Sequence, residues 1–466
     1  MWRAIVNAWK VKDLRNRLLF TALIIVLVRF ASSIPCPGVD PTALEDFIRT
    51  VTNRSDTGGG VMAMIDLFSG GAMTHFALGA LGIMPYITAS IIMQLLVPVI
   101  PTLEKLQREG EAGRGKISQY TRYLTLAVCA VQGFMVALAM INPAKIGLPT
   151  PNAQLFVGSA SLFIIANIVV LTCTTMVFTC TTMVFTWLGE QITERGIGNG
   201  VSLIITIGIV SRMPHSIIQL CEMAMQGTTP SGAPFRPVQL LLLLAVFCVV
   251  TAATIMLSQG YRRIPIQMIR KGIGRMTDGS TYMPLKVNFA NVMPIIFAGA
   301  ILMLPQTIFP MLANRPDAWR GWLVLAQAFQ HDSTTYAVVY GALIIVFSFF
   351  WVANQFNPLQ IADNLKKEGA YIPGISPGQP TADFLDASMT RVTAGGAVFL
   401  LVLALFPMFL YNTFGIPFMV AQFFGGTSLL IMVGVVLDTM SQLESHLTMR
   451  HYEGFLKSGR LRSRSN

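Results

Sequence analysis

The sequence predicts an all-α polytopic membrane protein with ten transmembrane helices, and three observations carry that prediction. Apolar runs of about 20 residues, the length that crosses hydrocarbon, recur along the whole chain. Only 12% of the residues are charged while 53% are hydrophobic, and the mean hydropathy is +0.61; a soluble domain carries about 25% charged residues. Of 33 Lys and Arg, 25 fall on one side of the ten spans and 7 on the other, with Arg29 left inside the first span. That asymmetry follows the positive-inside tendency and puts both termini in the cytoplasm, as an even number of spans requires. The net charge of +11 therefore reads as an orientation signal, not as a nucleic-acid footprint.

Span 1 covers residues 18–35. Basic residues, an apolar run and Ala31-Ser32-Ser33 imitate a signal peptide, but Arg29 interrupts the run and the chain continues through further spans. Residues 61–73 are apolar but too short to cross. Span 2, residues 76–98, holds Gly82-Ile83-Met84-Pro85-Tyr86-Ile87-Thr88-Ala89-Ser90. These residues put a proline and several small or polar side chains at membrane depth. A freed backbone group there needs another partner, so span 2 is expected to face a cavity or a partner helix. Just upstream, Phe68-Ser69-Gly70-Gly71-Ala72 breaks the chain. A short apolar helix, a glycine hinge and a polar-spotted span suggest a pathway with something mobile in it.

Span 3 covers residues 121–141 and span 4 residues 157–186. Span 4 contains a tandem repeat, in which residues 172–178 (Thr-Cys-Thr-Thr-Met-Val-Phe) recur unchanged as 179–185. From Leu155 to Trp187 there are 33 residues with little charge. As a helix they would reach about 50 Å, against about 30 Å of hydrocarbon. Seven extra residues add about 10.5 Å but turn the helix face by only about 20°. Span 4 is thus expected to be unusually long. Deletion of residues 179–185 is expected to leave the packed face nearly in register.

Span 5, residues 201–220, follows Gly196-Ile197-Gly198-Asn199-Gly200. That run resembles a phosphate-binding glycine loop but lacks the spacing and the preceding strand. Spans 6 to 10 cover residues 238–257, 288–308, 336–356, 393–412 and 420–440. Two long basic loops stand out. Loop 6–7 carries Arg262, Arg263, Arg270 and Lys271, and loop 8–9 carries Lys366 and Lys367. Anchoring of the flanking spans explains their charge but not their length of about 30 residues, since long ordered loops usually bind something. Ribosomal RNA, anionic lipid or an acidic protein patch would suit them. Five spans plus five are compatible with two inverted halves, residues 1–220 and 221–445, followed by a basic tail, residues 446–466.

No enzyme constellation emerges. There is no H-E-x-x-H, no G-x-S-x-G and no nucleotide loop, and the five histidines are scattered, with His75 an ordinary polar residue. The six cysteines form no C-x-x-C pair and read as small apolar filler. Neither cofactor nor metal is expected. Asn53-Arg54-Ser55 fits a glycosylation sequon, a pattern common by chance. The rival to a pathway protein is a secondary transporter with inverted repeats. A transporter should carry ionisable residues near the bilayer centre, and these spans almost lack them, Arg29 being the main exception.

The stretch from Gly189 to Gly200, Gly-Glu-Gln-Ile-Thr-Glu-Arg-Gly-Ile-Gly-Asn-Gly, is more specific. Taken with Phe68-Ser69-Gly70-Gly71, Gly82 to Ile87, Pro284-Leu285-Lys286-Val287-Asn288 and Gly425 to Ile431, it resembles the bacterial SecY family, the channel subunits of the protein translocon. The resemblance runs from the N-terminal region to the last span. It implies a channel for unfolded secretory chains that also releases transmembrane segments into membrane lipid. It implies a pore ring at Ile83, Ile87, Val201, Ile205, Ile296 and Ile431, with Val201 standing where the family favours Ile. It implies that 61–73 is a plug helix, and that Thr88, Gln132 and Asn288 belong to a lateral gate between spans 2–3 and 7–8. Interhelical hydrogen bonds of about 0.6 kcal/mol would suit a seam that opens. The implied partners are SecE, SecG, the SecA ATPase and the translating ribosome; the implied place is the bacterial inner membrane. One departure is Gly374-Ile375-Ser376-Pro377-Gly378, where the family carries an arginine in place of Ser376.

Overall fold

In the computed structural model, residues 9, 11–36, 69–73, 76–141, 163–227, 237–268, 281–313, 319–330, 333–416 and 418–458 are described. The helices are α1 (Lys12–Ala31), α2 (Met84–Leu96), α3 (Pro101–Arg108), α4 (Glu111–Ile141), α5 (Phe163–Arg195), α6 (Gly200–Gln226) and α7 (Pro237–Gln259). After strands β1 (Tyr261–Met268) and β2 (Thr281–Lys286) come α8 (Met293–Ala313), α9 (Arg320–Ala328), α10 (Thr334–Gln355) and α11 (Pro358–Lys367). Strand β3 (Ala370–Tyr371), α12 (Gln379–Phe414), α13 (Phe418–Gly425) and α14 (Thr427–Ser458) complete the described chain. Each of the ten expected spans overlaps a helix, although span 2 begins in turns and span 10 runs across α13 and α14. Among the described residues, seven helices are long and apolar enough to cross a membrane by length and composition. The pair Met84–Leu96 and Pro101–Gln107, bent by 102°, raises that to eight.

Helix starts follow local chemistry. Ser333 caps α10 by accepting the Thr335 N–H at 3.2 Å, and Asn357 caps α11 by accepting that of Gln360 at 3.2 Å, with Pro358 opening the helix. Pro85 behaves likewise. Its expected place inside a span is corrected, because α2 begins at Met84 and Pro85 occupies the first turn. An N–H is not needed there, so its loss frees no backbone group. Residues 76–83 form turns instead of the first part of a span.

The repeated heptads lie in one unbroken helix, the 33-residue α5. Its many threonines are tolerated at membrane depth because their hydroxyls donate to carbonyls of the same helix. Thr175 bonds to Leu171 at 2.7 Å, Thr179 to Thr175 at 2.8 Å and Thr186 to Thr182 at 2.9 Å.

The chain forms two compact units, residues 1–215 with 432–466, and residues 216–431. In the first, Leu14 on α1, Ile197 and Leu443 on α14 share a buried cluster with Val11, Leu18, Met440 and Leu447 packed around it. In the second, Ile295, Leu302, Tyr340, Ile344 and Leu400 are among the residues that bring α8, α10 and α12 together. A three-stranded antiparallel sheet, ordered β2-β1-β3, stands in the two segments read as loops. Ile264, Leu285, Val352, Ile372 and Leu385 form part of the apolar cluster beside it.

Candidate functional site

The segment entering α2 is tied to its surroundings by several hydrogen bonds. Gly70 and Gly71 adopt φ of +67° and +94°, which reverses the chain after Ser69. The Ser69 hydroxyl accepts the Met73 N–H at 3.2 Å, and Ala77 N–H donates to the Ala72 carbonyl at 2.8 Å. The turn is then pinned to the end of α1: Cys36 N–H donates to Phe76 O at 2.9 Å and Leu78 N–H to Ile34 O at 2.9 Å. Ala72, Met73, Phe76, Ala77, Ala80 and Leu81 are all buried. Arg29 of α1 reaches the same turn. Its Nη2 donates to Gly70 O at 2.8 Å and to Ser211 Oγ at 2.6 Å. Ser211, on α6, in turn has Gly70 O at 3.1 Å and Gly208 O at 2.9 Å as acceptors. The rest of the expected plug, residues 61–68, lies outside the described residues.

Six aliphatic residues were expected to line the pore. Ile83 is the N-cap of α2 and only 2% exposed, and Ile87 follows one turn later, its N–H donating to Ile83 O at 3.2 Å. Val201 and Ile205 lie one turn apart at the start of α6. Ile296 is near the start of α8, and Ile431 stands in α14. None of the six is exposed. Ile83, Ile87, Val201 and Ile205 belong to the first unit; Ile296 and Ile431 belong to the second.

The glycine-rich run before α6 has a positional role. The Ile197 N–H donates to Thr21 Oγ1 of α1 at 3.3 Å, Gly198 N–H to Gln442 Oε1 of α14 at 3.0 Å, and Gly200 N–H to Thr193 Oγ1 of α5 at 2.9 Å. Its donors meet side-chain acceptors of three helices, so this run does not cradle a phosphate. It fixes where α6, and with it Val201 and Ile205, begins.

Of the three polar gate positions, Thr88 donates its hydroxyl to Met84 O of its own helix at 3.1 Å. Gln132 is partly buried on α4, and Asn288 is buried in the turn before α8. Thr88 and Gln132 lie in the first unit and Asn288 in the second. A bidentate pair missed by sequence reasoning clamps α4 to α5: Arg122 Nε and Nη2 donate to Glu190 Oε1 and Oε2 at 3.1 and 2.6 Å.

Arg262 and Arg263 are exposed on β1, opposite Leu285 and Pro284. Lys366 and Lys367 are exposed in the last turn of α11. Arg270 and Lys271 lie outside the described residues. The sheet joins the two basic segments directly, since Gln267 pairs with Tyr371 and the Tyr371 hydroxyl donates to Gln267 Oε1 at 2.8 Å. Arg212, counted with the outer loops from sequence, lies inside α6.

A SecY family model matches residues 77–440. The chain is 42% identical over 466 residues to the protein translocase subunit SecY of Streptomyces galbus, covering 98% of this chain and all of that one. Its fold matches that of a SecY channel whose plug domain stabilises the closed state, with a TM-score of 0.60 and 17% identity over 92% of each chain. It also matches the channel of a canine ribosome–channel complex from the endoplasmic reticulum, with a TM-score of 0.54 and 16% identity over 92% of each. A secondary transporter is not what these likenesses favour. With a family model spanning most of its length and so similar a relative from end to end, the chain belongs to the SecY family of protein-translocase channel subunits.

Proposed function

We propose that this protein is the pore of a bacterial Sec translocase. Unfolded secretory chains cross the plasma membrane through it, and apolar segments leave it sideways into lipid. The end-to-end identity with a translocase subunit carries this reading. The protein carries out no bond chemistry itself; a SecA ATPase or a translating ribosome supplies the energy, and SecE and SecG are its membrane partners. Both termini are cytoplasmic, in keeping with the cation asymmetry. Residues 1–220 and 221–445 act as the two halves, with 446–466 as a basic tail.

Three parts gate the pore. Ile83, Ile87, Val201, Ile205, Ile296 and Ile431 form the constriction; an aliphatic ring excludes water and ions when empty and yields around a passing chain. Residues 61–73 plug the outer side. Thr88, Gln132 and Asn288 line the seam that opens to lipid. Arg262, Arg263, Arg270, Lys271, Lys366 and Lys367 form the cytosolic docking surface, and the pairing of Gln267 with Tyr371 supports treating both segments as one body. The test is to place single cysteines at the six ring positions and stall a secretory chain during export. Crosslinks at all six are expected. Crosslinks confined to two or fewer would overturn the ring.

A further inference from the structure

Helix α9 is too short to cross a membrane, since its 9 residues reach about 13.5 Å against about 30 Å of hydrocarbon. In the chain it stands between α8 and α10, both of which fall in candidate membrane spans. One side of it is fixed to α8 by rings. Phe309 of α8 packs on Trp322, with centroids 6.0 Å apart, and edge-on to Phe329 at 5.3 Å. The side-chain amide of Gln306, also on α8, donates to the carbonyl of Phe329, the C-cap of α9, at 3.2 Å. Phe329 in turn packs on the buried cluster that joins α8, α10 and α12. The other side is bare. Trp319, Leu323 and Val324 are exposed, with Arg320 and Gln327 among them, and α9 has no buried residue.

Trp319 is 71% exposed, yet its ring is held in place. It meets Trp322 edge to face at 6.5 Å and lies across Gly321, where a Cβ would overlap it. That ordering gains little from burial within the protein, which points to a further surface that covers the ring. An indole has an apolar body and one N–H donor, which suits the boundary between headgroups and acyl chains. Ile308 and Val338, at the ends of α8 and α10 nearest to α9 in the chain, are exposed as well. The bare face of α9 thus continues the apolar surface that the two spans present to the bilayer. It carries one cation and no anion, so apolar burial drives the contact, and Arg320 can reach the headgroups from a shallow helix.

We infer that α9 lies in the membrane interface, with Trp319, Leu323 and Val324 seated at the headgroup–acyl boundary, and so ties the end of α8 to the membrane surface. The ligand is a lipid surface, for which zwitterionic lipid suffices. The inference rests on the reading of α8 and α10 as membrane spans. Because α8 carries Ile296 near its start, the anchor holds the far end of a helix placed in the proposed constriction.

The test uses the full-length channel with its membrane partners in phosphatidylcholine vesicles, with Trp319 kept and every other tryptophan replaced by Phe. Nitroxide-labelled lipids serve as quenchers of its fluorescence. A label near the headgroup is expected to quench about twofold more than one at the end of the acyl chain. Leu323→Asn with Val324→Asn should cut the shallow quenching by about half and shift the emission to the red. Val346→Trp, at an exposed position in the middle of α10, should in a chain without other tryptophans be quenched better by the deep label. Quenching of Val346→Trp beside an unquenched Trp319 overturns the anchor and spares the spans. No quenching at either site overturns the span reading and the anchor with it. Stronger quenching of Trp319 by the deep label overturns the interfacial position. Quenching of Trp319 that disappears as the protein is crowded in the bilayer gives the face to a second copy and overturns the lipid contact. If the replacements prevent folding, fluorotryptophan in the unaltered sequence, with its Trp319 resonance assigned by Trp319→Phe, reads the same label depths by line broadening and decides by the same criteria.

Discussion

Phe76 meets Phe178 edge to face, with ring centroids 5.3 Å apart and planes at 67°, and both rings are fully buried. Phe178 closes the first copy of the repeated heptad. Phe185, which closes the second, lies against Gly79, where a Cβ would stand 3.0 Å from its Cε2. Both copies therefore pack on the turn that enters α2. Removing residues 179–185 would slide the upstream helix along by two turns, bringing Phe178 to the place of Phe185 and Leu171 to that of Phe178. The face stays nearly in register, so insertion and export should survive. The aromatic pair does not survive, and its loss costs about 1 kcal/mol. Thermal melting of the purified channel should show the deletion a few degrees below the parent, and Phe178→Ala, which costs about 3–5 kcal/mol, lower still. A deletion that melts with the parent would show that the Phe76 contact contributes nothing.

Gly70→Ala should open the channel where Gly110→Ala does not. Both glycines have positive φ, +67° and +80°. An alanine in that region costs about 1–2 kcal/mol at either site. At Gly110 nothing lies within 4 Å of the new methyl group, so the strain stays local. At Gly70 the methyl overlaps Arg29 and the Gly208 backbone, so the turn must move. Ion leak through the reconstituted channel is expected to rise for Gly70→Ala alone. Equal leak from both would mean that backbone strain alone, and not the close approach at Gly70, is responsible.

Ile87→Asn and Ile431→Asn should each wet the closed pore. Each replaces an aliphatic side chain with an amide that binds water, removing the dewetting on which a hydrophobic constriction depends. Ion leak should rise, and precursors with defective signal sequences should be exported more efficiently. Unchanged leak together with unchanged discrimination would count against the ring.

The apolar spans were legible because membrane helices announce themselves by composition alone, without any pairing partner. The entry to α2 was misplaced for the opposite reason. Residues 76–83 are turns because Cys36 and Leu78 bond back and forth with Phe76 and Ile34, a tertiary fact that no window of sequence contains. The sheet was hidden in the same way. Its Gln267–Tyr371 contact spans 104 residues, and Pro265 and Pro284 argue against strands locally. For Arg29 the charge was visible, but its partners lie 41 and 182 residues away. The ring positions were assigned only through the family resemblance, since an isoleucine in a span is indistinguishable from packing.

Ser376→Arg is expected to strengthen coupling to a SecA partner without affecting the fold. Ser376 is exposed in the turn between β3 and α12, and what the turn requires of it is its carbonyl, which accepts from the Thr381 hydroxyl at 2.9 Å. Gly374 and Gly378, with φ of +83° and +106°, shape the turn, and neither has any atom within 4 Å of a built Cβ. A longer side chain at 376 therefore extends into solvent from the same body that carries Arg262, Arg263, Lys366 and Lys367. A planar guanidinium there can bind a carboxylate through two parallel bonds, which the hydroxyl of serine cannot do. Binding of SecA to membranes holding the variant should tighten, and its salt dependence should steepen. Arg262→Glu with Arg263→Glu should do the reverse, weakening partner binding and flattening its salt response. Binding that ignores all three substitutions and the salt concentration would move the docking surface away from this sheet.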